Sequence, residues 1–133
     1  MKRIFATLAA LAITSTLSTH AVAQDYNAIV SASDRTDADR NTDKRRDPVK
    51  LLNFAGVKEG MKVLDMEAGA GYTTELLARA VGPNGVVYAQ DSAEVLERQV
   101  KGKFDARSKN PVMKNVVHVV RNYDDPLPPE VRN

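Results

Sequence analysis

The stretch Leu64–Asp91, LDMEAGAGYTTELLARAVGPNGVVYAQD, constrains the fold more than any other part of the chain. An apolar run enters a loop of small residues, a segment of helical spacing follows, and Gly82-Pro83-Asn84-Gly85 stops it before a second apolar run. Met61–Met66 is predicted as the first strand, Thr73–Val81 as a helix with Leu76, Leu77 and Ala80 inward, and Val86–Gln90 as a strand covered on both faces. Each strand is closed by an acid, Asp65 or Asp91. Strand, helix and strand in this order predict an α/β fold: a parallel sheet with right-handed crossovers and helices on its faces.

The flanks extend the same pattern. Asp47 as N-cap and Pro48 at the first helical position start a helix, Leu51, Leu52 and Phe54 are expected to form its apolar face, and Gly56 ends it. Ala93–Phe104 returns to helical spacing through Val95, Leu96, Gln99 and Val100, and Val116–Val120 reads as the third strand. The chain stops soon after that strand, so the sequence reads as the front half of a larger domain.

Residues 1–23 carry the pattern of a cleavable signal peptide: Lys2 and Arg3, then a mostly apolar Ile4–Leu17, then Ala21-Val22-Ala23. That run is too short to cross a bilayer, so no span is expected after cleavage. Of 19 basic and 17 acidic residues, the signal holds two basic ones, leaving 17 of each from Gln24 onward. A neutral balance gives no indication of nucleic acid or of a membrane surface. The absence of cysteine excludes disulfides, thiolate metal sites and a cysteine nucleophile, and it suits an oxidising compartment. Export, to the periplasm or beyond, is the expected destination. No metal-binding pattern is present.

The predicted organisation is a signal peptide over 1–23, a charged segment over 24–46 and a partial α/β domain over 47–133. Gln24–Ser33 is expected to be a mobile start. Asp34–Asp47 alternates acids and bases without an apolar stripe, which predicts a solvated linker or polar helix; the sharper alternative is that Arg35, Arg40, Arg45 or Arg46 clamps an anion.

In open α/β sheets, ligands bind at the carboxyl ends of the strands. Glu67-Ala68-Gly69-Ala70-Gly71 lies at such an end, and glycines there let a backbone turn sharply and approach a ligand. Asp91, closing the next strand, has the chemistry to accept hydrogen bonds from both hydroxyls of a ribose. A dinucleotide site wants G-x-G-x-x-G, and here the third glycine is Thr74, which disfavours a nicotinamide-dependent oxidoreductase. S-adenosylmethionine, with an amino acid and a sulfonium in place of pyrophosphate, favours acids around the loop.

The stretch Asp65–Gly71 resembles motif I of the class I S-adenosylmethionine-dependent methyltransferases, an acidic residue followed by x-G-x-G-x-G. Val86–Asp91 resembles the second strand with its ribose-binding acid, and Val116–Asn122 the third strand and adenine-contacting turn. Phe54–Val63 (FAGVKEGMKV) is similar to the segment before motif I in a group of exported bacterial methyltransferase-like proteins. The resemblance covers about residues 34 to 130 and implies the N-terminal half of a Rossmann-like methyltransferase fold, truncated after its third strand.

It further implies that Gly69 and Gly71 floor the methionine portion and that Asp65 attracts its ammonium. Asp91 would bind the ribose, Asn122 the adenine, and Tyr72 would shape the pocket wall. The same residues have structural uses: a tight turn for the glycines, a helix cap for Asp91, packing for Tyr72, a strand position for His118. Glu67 stands where the family's first motif glycine belongs; its side chain would crowd the ligand or face the sulfonium. No catalytic residue is assigned and the methyl acceptor is unknown. The alternative reading is a non-catalytic adenosine-ligand-binding or interaction module.

Overall fold

The computed structural model describes residues 24–100 and 102–132, so the predicted signal peptide lies outside the described residues. Helices α1 (Tyr26–Val30), α2 (Asp37–Arg46) and α3 (Pro48–Ala55) lead into β1 (Lys62–Met66). Helix α4 (Tyr72–Val81) crosses to β2 (Val86–Asp91). Then follow α5 (Ala93–Val95), a π-helical turn over Leu96–Val100, α6 (Lys103–Ser108), a 3₁₀ turn over Pro111–Asn115 and β3 (Val116–Val120). The strands form one parallel sheet in the order β1-β2-β3, with helices on both sides. Lys62 stands opposite Val86 and Met66 opposite Gln90, while Asp91 stands opposite Val120. That register brings the exits of all three strands to one edge.

The crossover explains the core. Leu76, Ala80 and Val81 of α4 are wholly buried with Val87 and Ala89 of β2, and Leu77 and Ala78 are nearly so. Helix α3 is started by the Asp47 carboxylate, which accepts from the Lys50 amide at 3.4 Å, and ended by Gly56 at φ 61°. Its buried face is Pro48 and Leu52, whereas Phe54 is 90% exposed. The expected face of Leu51, Leu52 and Phe54 does not exist, because residues two apart on a helix point about 200° from each other. Ala93–Phe104 is likewise not one helix: Gly102, at φ 75°, breaks the path and caps α6.

The N-terminal segment departs most from expectation. Gln24–Ser33 is not a loose start: Tyr26 is buried in the core and its hydroxyl donates to the Val57 carbonyl at 2.5 Å. Gln24 Nε2 donates to the Ala80 carbonyl at 2.9 Å. Helix α2 is polar, as the charge pattern predicts, yet Arg35 and Asp39 are buried. Ion pairs replace apolar contacts there. Arg35 grips Asp43 at 2.7 and 2.8 Å, and Arg107 of α6 grips Asp39 at 2.7 and 3.0 Å while reaching Glu75 of α4 at 2.5 Å. Residues 24–46 are therefore docked on the sheet's helices.

Leu76→Ala should destabilise the protein by about 2–5 kcal/mol in urea unfolding, whereas Phe54→Ala should stay within about 0.5 kcal/mol of the parent. A large loss at Phe54 would contradict its position on the surface.

Candidate functional site

A cavity of about 480 Å³ opens at the tip of β1. Asp65, Met66, Glu67, Ala68, Gly69 and Ala70 line it from the strand and its loop, Tyr72 and Thr73 from the start of α4, Val95 from α5 and Arg46 from the end of α2. Its size is ordinary for a small-molecule site.

The loop's shape follows from what holds it. The Asp91 carboxylate is wholly buried, and its Oδ1 accepts from the Gly69 amide at 2.9 Å. Gln90, also wholly buried, accepts from the Glu67 amide through Oε1 at 3.3 Å and donates through Nε2 to the Arg121 carbonyl at 2.6 Å. One glutamine thus ties the exits of β1 and β3 together across β2. From outside the sheet, Arg107 Nε donates to the Ala70 carbonyl at 2.9 Å.

Of the residues the sequence singles out, Asp65, Glu67, Gly69 and Tyr72 line the cavity; Gly71, Asp91 and Asn122 do not. Gly71 serves packing: a Cβ there would come within 3.0 Å of Arg107 Cδ and 3.2 Å of the Phe104 ring. Gly69 is the open one, with a φ of 58° and only the Glu67 carbonyl near a built Cβ, at 3.9 Å. Asp91 sits against the loop, as expected for neighbouring strand ends, but presents neither oxygen to the cavity. Its Oδ2 lies 3.0 Å from His118 Nε2, and the His118 ring stacks on Phe104 at 4.0 Å. Nor does Asp91 cap the next helix, since Ser92 does so through the Val95 amide at 3.3 Å. Asn122 is exposed in a turn closed by its carbonyl and the Asp125 amide.

Gln90, Thr73 and Val95 are site residues that the sequence did not single out, while Arg46 was one of four arginines named as anion clamps. Of those three, Gln90 alone carried a signal, as an amide inside an otherwise apolar strand.

Asp65 is half-buried in the cavity wall, where desolvation raises its pKa; the Thr74 hydroxyl, donating to Oδ2 at 2.6 Å, offsets part of that. Thr74, the residue in place of a third dinucleotide-site glycine, is thus the partner of Asp65. Burial, together with the Asp43 carboxylate 2.6 Å away, pushes the Tyr72 hydroxyl up to about 12, so it stays a donor at neutral pH. The Arg35 guanidinium holds Asp43 below the usual carboxylate range. Glu67 is strained: its φ of 56° lies in the left-handed region that side chains avoid.

Residues 45–122, which contain the cavity loop and the three strands, match the family described as Protein-L-isoaspartate(D-aspartate) O-methyltransferase (PCMT). The chain belongs to this family. A Protein-L-isoaspartate O-methyltransferase from Methanothrix thermoacetophila is 34% identical over 61 residues, 45% of this chain and 29% of that protein. A SAM-dependent O-methyltransferase from Thermotoga maritima superposes with a TM-score of 0.50 at 28% identity, covering 58% of this chain and 28% of that one. A SAM dependent methyltransferase from Aquifex aeolicus gives a TM-score of 0.48 at 36% identity, over 57% and 38% respectively. The chain thus spans less than two fifths of the length of each of these relatives. The fold is the Rossmann-like one of the class I methyltransferases, and the cofactor that the family indicates is S-adenosylmethionine.

The residues around the cavity fit the methionyl end of that cofactor. Asp65 offers a carboxylate to an ammonium, and Gly69 gives an open backbone beside it.

Because Asp65's pKa is raised above its unfolded 3.8, its ionised form is disfavoured in the fold, and stability falls as pH rises through the raised value. Asp65→Asn should therefore raise the urea midpoint of the ligand-free protein at pH 7, and the two proteins should converge below pH 3.8. A variant less stable at neutral pH would show that Asp65 is a structural anchor instead.

Proposed function

We propose that this chain binds S-adenosylmethionine at the tip of β1 and forms the cofactor half of a methyltransferase whose acceptor is not yet identified. The observation that carries the reading is the cavity itself: Asp65, Glu67, Gly69 and Tyr72 line one space, inside the segment that matches the family. When bound, S-adenosylmethionine supplies an electrophilic methyl on a sulfonium, transferred to an acceptor nucleophile with release of S-adenosylhomocysteine.

The chain's own groups have separable roles. Asp65 faces the ammonium, and a cation beside it stabilises the ionised carboxylate that burial disfavours. Affinity should accordingly weaken as pH falls and Asp65 takes up a proton. Gly69 floors the methionine portion, and Tyr72 walls it. Asp91 is wholly buried with His118 against Oδ2, so for it to accept from ribose hydroxyls the surroundings of that oxygen must open. Methyl transfer rests on holding acceptor and sulfonium in line.

A binding-only module is the second reading. Glu67 favours it, because a charged side chain stands where the family keeps a bare backbone. The two readings differ in turnover: release of S-adenosylhomocysteine on incubation with an isoaspartyl peptide, the acceptor class named for the family, supports the enzyme. The pattern of residues 1–23 supports export to the periplasm, which N-terminal sequencing of the mature chain beginning at Gln24 would bear out.

Relieving a left-handed side chain gains about 1–2 kcal/mol at most. Glu67→Gly should therefore stabilise the fold by about 1 kcal/mol and tighten S-adenosylmethionine several-fold in a calorimetric titration. Unchanged or weaker affinity would count against matching Glu67 with the motif glycine.

A further inference from the structure

We propose that Arg46, at the last turn of α2, anchors the α-carboxylate of the methionyl end, so that cofactor recognition reaches into the charged N-terminal segment. The proposal rests on the cofactor reading above and adds a residue that lies outside the glycine loop.

Among the described residues, Arg46 is the sole basic one lining the cavity. The neighbouring arginines of the segment differ, and Arg45 does not line the cavity. Arg35 is consumed by Asp43 and the Val30 carbonyl, and Arg40 donates to the Ala32 carbonyl. Arg46 makes no ion pair among the described residues. Its guanidinium carbon lies 5.3 Å from the centroid of the Tyr72 ring, a cation–π distance that keeps the charge beside the cavity wall.

The helix carrying Arg46 is fixed at that spot. One turn earlier, Asp43 accepts from the Tyr72 hydroxyl at 2.6 Å and from Arg35, and two turns earlier Asp39 is gripped by Arg107. Immediately after Arg46 the helix ends, with Asp47 at φ 44° turning the chain away. These bonds leave Arg46 presented at the cavity, its donors unspent among the described residues.

Charge balance gives the ligand group. Asp65 and Glu67 carry two negative charges and Arg46 one positive, a net of minus one. S-adenosylmethionine brings a sulfonium, an ammonium and a carboxylate, a net of plus one. The carboxylate is the only part of it that two acids would repel, and an arginine fork suits a carboxylate.

The test is calorimetric titration of the full chain, and of its Arg46→Ala and Arg46→Lys variants, with S-adenosylmethionine and with its decarboxylated analogue. Circular dichroism confirms that each variant is folded. The parent should prefer the carboxylate-bearing ligand by about tenfold, the low end for charge-assisted bonds because Arg46 is exposed. Arg46→Ala should lose that preference while binding the decarboxylated analogue as the parent does, and Arg46→Lys should recover part of it. An equal loss for both ligands would mean that Arg46 acts through Tyr72 packing and would overturn the proposal, as would no loss for either. A parent that binds neither ligand would overturn the cofactor reading itself, and the role of Arg46 with it.

Discussion

The structure depends on how β2 ends. Gln90 and Asp91 are both wholly buried, and a buried amide or carboxylate must find partners or destabilise the fold. They find them in the backbone leaving the neighbouring strands: the Glu67 and Gly69 amides on one side, the Arg121 carbonyl on the other, with His118 completing Asp91. Two side chains therefore set the path of the glycine loop, and that path makes the cavity. The requirement to satisfy buried polar groups, more than the freedom of glycine, shapes the site.

A second constraint acts from the surface. Arg107 holds Asp39, Glu75 and the Ala70 carbonyl together, joining α2, α4, α6 and the loop. Buried ion pairs of this kind contribute little net stability but strongly disfavour wrong arrangements, because an unpaired partner is left desolvated. Burial alone would raise Asp39, yet Arg107 and Thr36 outweigh it and hold its pKa below the unfolded 3.8. Arg35 does the same for Asp43. The contribution of both groups is thus present above pH 3.8 and fades as pH falls through the lowered values. The network docks a segment with no apolar stripe, and it fixes where Tyr72 and Arg46 stand.

Legibility in the sequence followed the type of interaction. Strand and helix periods over Met61–Asp91 were plain because apolar burial repeats along the chain, and the boundaries agree to within a residue. Asp65, Glu67, Gly69 and Tyr72 could be placed at one site because they are close in sequence. Arg107 meets Asp39 across 68 residues, and nothing local to either announces the pair. Arg46 was one of four equivalent arginines until the fold used Arg35 and Arg40 elsewhere and set Arg46, not Arg45, in the cavity lining. Asp91 was located correctly beside the loop, but the sequence gives no sign that Gly69 and His118 take both its oxygens. Gly71 carries the same motif signal as Gly69, and nothing in the sequence announces its packing against Phe104 and Arg107.

Whether the adenosyl ligand meets the protein at the tip of β1 decides between the cofactor site and any other use of the fold. Backbone amide NMR during a titration with S-adenosylhomocysteine reads this residue by residue. The largest shifts should fall on Glu67–Thr73 and near Arg46, while the Pro83–Val86 turn, at the opposite end of β2, stays still. Shifts concentrated at that opposite end, or no shifts at saturating ligand, would contradict a cofactor site at β1.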